Sequence, residues 1–205
     1  MTQSTLSERK SSVPNPLAAV FLAAVVTLAG AASASGGLLM TPIATRQVAE
    51  LGTQIARGEA EAELDRPLEL ILPVLEDYSG YEQFMPNFRR SRVLAQRGDR
   101  ARVYMEVSAA AGALTLWGQV DLRGRTDGEG AARVIEAELL EGNMDAFRAE
   151  WRLEPTADGK RTRVAFRIFV DPDLPLPASL ISRENERAAR RTIEALRTHL
   201  ERKLP

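Results

Sequence analysis

The stretch AFRAEWRLEP, residues 146–155, sets Phe147, Ala149, Trp151 and Leu153 against Arg148, Glu150, Arg152 and Glu154 in strict alternation. A period of two separates apolar from charged side chains on a strand, and a helix would mix them around its circumference. The pattern recurs on both sides of this stretch. SRVLAQ comes first, and RARVYMEVSA places Val103, Met105 and Val107 together. ALTLWGQVDLRG groups Leu114, Leu116, Val120 and Leu122, with Gly118 a candidate bulge site. ARVIEAELLEG groups Ile135, Ala137 and Leu139, and RTRVAFRIFVDP groups Val164, Phe166, Ile168 and Val170. Strands this close, separated by short turn signals, predict an antiparallel meander with one face buried.

Helical periodicity brackets the meander. EAEAELD, from Glu59, reads as one more half-buried strand, with Ala60, Ala62 and Leu64 inward. Asp65 then fits a helix cap and Pro67 a first turn, ahead of Leu68, Ile71, Leu72 and Leu75. A second short helix carries Tyr81, Phe84 and Met85 and ends at Pro86 and Asn87. After the meander, DPDLPLP stiffens the exit, and a long helix is predicted from Ala178 to Lys203. Its stripe holds Ile181, Ala188, Ile193, Leu196 and Leu200. Upstream, Thr41-Pro42 followed by Ile43, Val48, Leu51 and Ile55 predicts a short helical lead over residues 35–58, closed by Gly58. The expected fold is therefore α+β: a curved antiparallel sheet of about seven strands around a long C-terminal helix, with two short helices after the first strand.

The first residues read as an address. Arg9 and Lys10 precede PLAAVFLAAVVTLAGAASA, and Ala32-Ser33-Ala34 has the form of a signal-peptidase site. This predicts a signal peptide over residues 1–34, cleaved after Ala34, with a retained N-terminal membrane anchor as the alternative. Either one places the folded part in the periplasm or cell envelope. The chain has no cysteine and one histidine, His199, which leaves no thiolate for zinc, iron–sulfur or disulfide chemistry and argues against a histidine metal site. Lys and Arg number 27 against 28 Asp and Glu, a balance that disfavours a nucleic-acid partner.

The order of these elements, with VLEDYSGYEQFMPNFRRSRVL behind the first helix, resembles the START-like (SRPBCC, helix-grip) superfamily, and within it the coenzyme Q-binding and polyketide-cyclase-like branch. The residues that carry the resemblance are Asp77, Tyr78, Tyr81, Phe84, Pro86, Val93 and Leu94. The pair FRAEWRLEP and TRVAFRIFVDP and the helix LPLPASLISRENERAARRTIEALRTHLE extend it, so that residues 59–205 form the START-like domain. The resemblance implies a sheet gripping the long helix over an apolar cavity. It implies a hydrophobic small molecule as partner, a lipid, quinone or polyketide-like compound, which most members carry and a minority cyclise or dehydrate. The export signal and the lack of the histidines used by some catalytic relatives set this chain apart from them.

The residues expected to line such a cavity are Tyr81, Phe84, Met105, Leu116, Leu139, Phe147, Trp151, Phe166, Ile168, Asn185 and Ala188. Asn185 has three readings, a hydrogen bond to a ligand head group, a place at the edge of the apolar stripe, or a hydrogen bond to a neighbouring loop. Glu138, Asp145, Tyr78 and Tyr81 are the groups a general acid or base would come from, yet no spacing selects a pair, so no catalytic residue, metal or cofactor is assigned. The arginines at 89, 90 and 92, and at 183, 187, 190 and 191, fit either anionic lipid head groups near a pocket mouth or a solvated face paired with Glu184, Glu186 and Glu194, and contact with a membrane surface is a further expected partner. A binding protein is the leading expectation. The alternatives are a cyclase or dehydratase using a pocket carboxylate or tyrosine, and a non-catalytic envelope interaction domain with a filled core.

Overall fold

A computed structural model of the chain describes residues 41–109, 112–127 and 132–203. The expected signal segment, residues 1–34, lies outside these. Among the described residues, no helix is long and apolar enough to cross a membrane. The elements run β1 (Ala44–Val48), β2 (Arg57–Leu64), α1 (Leu68–Glu76), a 3-10 turn (Tyr78–Gly80), α2 (Tyr81–Phe84), β3 (Phe88–Arg97), β4 (Arg100–Ala109), β5 (Leu114–Thr126), β6 (Arg133–Gly142), β7 (Ala146–Pro155), β8 (Thr162–Asp171) and α3 (Ala178–Lys203). The strands form one antiparallel sheet in the order β1-β2-β8-β7-β6-β5-β4-β3. Successive strands from β3 to β8 are neighbours, as short turns require. The exception is the step from β2 to β3, whose partners stand far apart in the sheet. The chain crosses that gap through α1, the 3-10 turn and α2, and this is why two short helices interrupt the strands. The result is the helix-grip arrangement.

Two sequence expectations are corrected. Residues 44–48 form an edge strand rather than part of a helix, which makes the sheet eight-stranded. Helical spacing loses there because every other side chain finds a tertiary partner. Thr45 Oγ1 and Gln47 Nε2 donate to Glu186 of α3, while Arg46 turns the other way to Glu59. Ile55 is buried with Phe169 and Ile181, but Leu51 lies fully exposed in a turn, and Gly58 sits inside β2 instead of ending a helix. At α1, Pro67 is the N-cap residue in place of Asp65. Asp77 instead caps the 3-10 turn, its Oδ1 accepting from the Gly80 N–H at 3.1 Å.

Helix α3 lies on β2 and β8. The residues of β2 that face it are small, Gly58, Ala60 and Ala62, and they admit the helix to backbone contact. A Cβ on Gly58 would stand 2.1 Å from the Asn185 carbonyl oxygen. Around this contact, Ser182 Oγ accepts from the Ala56 N–H at 2.8 Å, and Asn185 Nδ2 donates to the carbonyls of Ala56 and Val170 at 3.1 and 3.3 Å. Both backbone groups of Ala56 are thus satisfied by α3. Below this anchor, Ala189, Ile193, Leu196 and Leu200 join Leu64, Leu68, Ile71 and Leu75 in the main core.

The convex face of the sheet carries the charge. Glu59 is 6% exposed and is held by Arg46 at 2.7 Å, Arg57 at 2.9 Å and Arg167 at 3.3 Å. Arg167 passes on to Glu150 at 2.8 Å, and further cross-strand pairs join Arg100 to Asp121 and Arg125 to Glu136. Burial alone would raise the Glu59 carboxyl, but the three guanidiniums outweigh it and hold the group below the usual glutamate range.

Two outcomes follow from these contacts. Gly58→Ala drives a methyl group into the α3 backbone and lowers unfolding free energy by about 2 kcal/mol or more, read from urea titration. Glu59 contributes stability above its ordinary pKa of 4.5, lost as pH falls below that value through the depressed folded pKa. Glu59→Gln therefore lowers the urea midpoint at neutral pH, and its gap to the wild type closes on acidification. A gap that stays constant with pH would show that the charge of Glu59 is not what matters.

Candidate ligand cavity

The sheet curves over more concave surface than one helix covers. Ala189, Ile193 and Leu196 of α3 close the β2 side, while Ile181, Asn185, Ala188 and Thr192 look across open space toward β4–β8. The space measures about 750 Å3, inside the range of roughly 300–1,000 Å3 usual for small-molecule sites. Its floor is the inward alternation of the meander: Met105, Leu116, Val120, Leu122, Ile135, Ala137, Phe147, Ala149, Trp151, Phe166 and Ile168. Small residues at 137, 149 and 188 give it depth, and Trp151 packs on Phe166 with ring centroids 4.3 Å apart. Tyr81 and the turn Met85–Phe88 close one end.

The opening is apolar as well. Leu174, Leu176 and Leu180 line the cavity yet remain 37%, 44% and 46% exposed. They belong to the proline-rich exit from β8 and the first turn of α3, where Asp173 takes φ +49° and the Leu176 N–H donates to the Leu174 carbonyl. Leucines held out between prolines are the signal in DPDLPLP that its reading as a stiff connector missed.

Of the expected lining residues, Tyr81, Met105, Leu116, Phe147, Trp151, Phe166, Ile168, Asn185 and Ala188 come together around this space. Phe84 and Leu139 do not. Phe84 stacks on His199 of α3 at 4.3 Å and meets Tyr81 edge to face at 5.9 Å, so the single turn of α2 gives Tyr81 to the lining and Phe84 to α3. Leu139 packs over Gly118 and Gly142 at the rim, filling room that a side chain on Gly118 would need. The bulge expected at Gly118 falls just beyond it, where the β5–β6 register shifts between Gln119 and Val120. Met85, Phe88, Met144, Ile181 and Arg191 also line the space and were not singled out by alternation, since they sit on turns, at the first position of β3 and on the helix.

The polar groups are few and mostly committed. Tyr81 is buried, its hydroxyl donates to the Leu75 carbonyl at 2.6 Å, and burial followed by Tyr78, Asp77 and Glu76 pushes its pKa well up, so it stays neutral. Tyr78 is pushed up to about 12 by burial, Glu76 and Asp99. Asn185 spends its amide hydrogens on the carbonyls of Ala56, in the loop before β2, and of Val170 in β8. Thr192 donates to the Ala188 carbonyl. Among the lining residues the charged ones are Glu184 and Arg191. Glu138 is exposed on the convex face, and Asp145 lies at the β6–β7 turn, raised by Asp173, then burial and Asp171. His199 is lowered by burial, then by Lys203 and Arg202. Among the described residues, no cluster of His, Cys, Asp and Glu is arranged to hold a metal ion.

With this geometry in place, comparison with known proteins locates the chain. No curated protein matches it in sequence. Its fold matches the STAR-related lipid transfer protein of Xanthomonas axonopodis at 19% identity, over 78% of this chain and 93% of that one, with a TM-score of 0.69. Human StAR-related lipid transfer protein 5 matches at 12% identity over 80% and 84%, with a TM-score of 0.66. The Zhui aromatase/cyclase of Streptomyces sp. R1128 matches at 20% identity over 79% and 97%, with a TM-score of 0.52. At such identities these likenesses establish a common fold. The model of the family described as polyketide cyclase / dehydrase and lipid transport matches residues 64–197, from the end of β2 through most of α3. The chain therefore belongs to the polyketide cyclase / dehydrase and lipid transport family, within the START-like superfamily.

Proposed function

We propose that this protein binds and carries a hydrophobic small molecule, a lipid, quinone or polyketide-like compound, in the cavity between sheet and α3, and that it does so outside the cytoplasm. The observation that carries the reading is the cavity of about 750 Å3, apolar on its floor and continuous with an apolar opening. Taking an apolar molecule out of water yields about 25 cal/mol per Å2 of surface buried, and a cavity already lined with side chains is spared the cost of rearranging the core. The lipid transfer proteins of the same fold support the ligand class. Export rests on the N-terminal sequence alone.

Carriage rather than catalysis is favoured by what the lining offers. The Tyr81 hydroxyl, the phenol among the described lining residues, is already donated to a backbone carbonyl, and Asn185 is tied to the sheet. The exposed Leu174, Leu176 and Leu180 give the opening the character of a surface that meets a membrane, where a ligand would pass between bilayer and cavity without crossing water.

Native mass spectrometry of protein purified under mild conditions tests the reading directly. Wild type is expected to retain an unmodified apolar molecule, or to take one up from vesicles after stripping. Ala188→Trp and Ala149→Phe, which fill the cavity from opposite walls, should reduce uptake about tenfold or more, with far-UV circular dichroism unchanged. Turnover of the bound compound would replace carriage by catalysis, and equal uptake by the filled variants would place the binding elsewhere.

A further inference from the structure

The floor of the cavity is uncharged, and its charged lining residues, Glu184 and Arg191, lie on α3. Seven positions apart, they fall two turns along the same face of the helix. Arg191 Nη2 donates to Glu184 Oε1, and Arg187 Nη1 stands 3.6 Å from Glu184 Oε2. Glu184 thus stands between two guanidiniums, of which Arg191 lines the cavity and Arg187 lies outside it, near Glu186 as well. Arg191 Nε is buried with no hydrogen-bond partner among the described residues. A guanidinium N–H left without an acceptor is costly, so a shift of the side chain that turns it toward the open cavity gives up no hydrogen bond at Nε and would let a ligand oxygen satisfy it. The side chains of Glu184 and Arg191 are 55% and 40% exposed, so the pair stands at the border between cavity and solvent. A charged head group bound there keeps part of its hydration, which a site deep in the sheet would deny it.

We infer that Arg191 forms a head-group subsite, so that the ligand is an amphipath with an anionic oxygen head, a carboxylate or a phosphate. Its head lies against Arg191 and its apolar body over Leu116, Trp151 and Phe166. Glu184 holds the guanidinium in place while the cavity is empty and gives up part of that contact when the head arrives. The inference rests on the carrier reading and adds the class of cargo to it.

Displacement of the neutral dye N-phenyl-1-naphthylamine from the purified protein tests both levels separately. The competitors share one chain length: palmitic acid, palmitoyl lysophosphatidic acid and hexadecanol. Wild type should be emptied by at least one of the two acids at about tenfold lower concentration than by hexadecanol. Arg191→Met, which keeps the apolar stem, should lose that preference, the acid and hexadecanol displacing dye at about equal concentrations whatever the variant's own affinity for the dye. Arg191→Lys should retain part of it. The better of the two acids tells carboxylate from phosphate. Dye uptake without a preference for either acid, or a preference that survives Arg191→Met, overturns the subsite alone. A wild type that takes up no dye overturns the carrier reading together with the subsite.

Discussion

The backbone contact between α3 and β2 at Gly58 is the constraint on which the rest of the molecule depends. Only a residue without Cβ allows the Asn185 carbonyl to approach so closely, and Ser182 and Asn185 then bind both polar groups of Ala56. This fixes the upper half of the long helix to one side of the sheet. Had β2 carried a larger side chain, the helix would ride higher and more centrally, and its apolar stripe would lose contact with Ala60 and Ala62. The asymmetry makes the cavity. A helix pinned over β2 and β8 cannot also cover β4–β7, and the concave face of those strands is left open.

A second consequence concerns charge. The sheet has two faces of opposite character because the alternation in each strand keeps the same phase across the registered pairs. Glu59, Glu150, Arg167, Glu136 and Arg125 meet on the convex side, and Val120, Ile135, Trp151 and Phe166 on the concave side. The near equality of basic and acidic residues is therefore local as well as global, since charges of opposite sign are paired across neighbouring strands. Individual exposed pairs of this kind stabilise little, but Glu59 is buried among three arginines and ties the edge strand β1 to the sheet.

The aromatic stretch behind α1 has a structural role that its composition obscures. Tyr81 turns inward to close the cavity, with its hydroxyl on Leu75, while Ser91 donates to the Tyr78 carbonyl and ties the 3-10 turn to β3. Phe84 stacks on His199. The stretch is the joint that carries the chain from β2 to the far edge of the sheet, and it joins α2 to the lower end of α3 on the way.

Much of this was legible in the chain. Alternation gave β2–β8, the apolar stripe gave α3 between the bounds found, and the order of elements with the Asp77–Leu94 stretch gave the fold family. Strand alternation also found most of the cavity floor, because on a strand the side that faces inward is set by parity. What sequence could not give were the features in which two distant segments decide each other. Residues 44–48 follow a helical spacing, yet become a strand because β2, Glu186 and Glu59 offer them partners. Phe84 and Leu139 have the right side-chain character for a lining and are turned from it by His199 and by the glycines at 118 and 142. For Arg191 the sequence left a head-group contact and a solvated face both open, and the fold sets it against the open cavity. Local periodicity determined which face of each element is apolar; only the packing of α3 on β2 decided whether that apolar surface would be filled or left open, since this depends on a backbone distance that no single segment encodes.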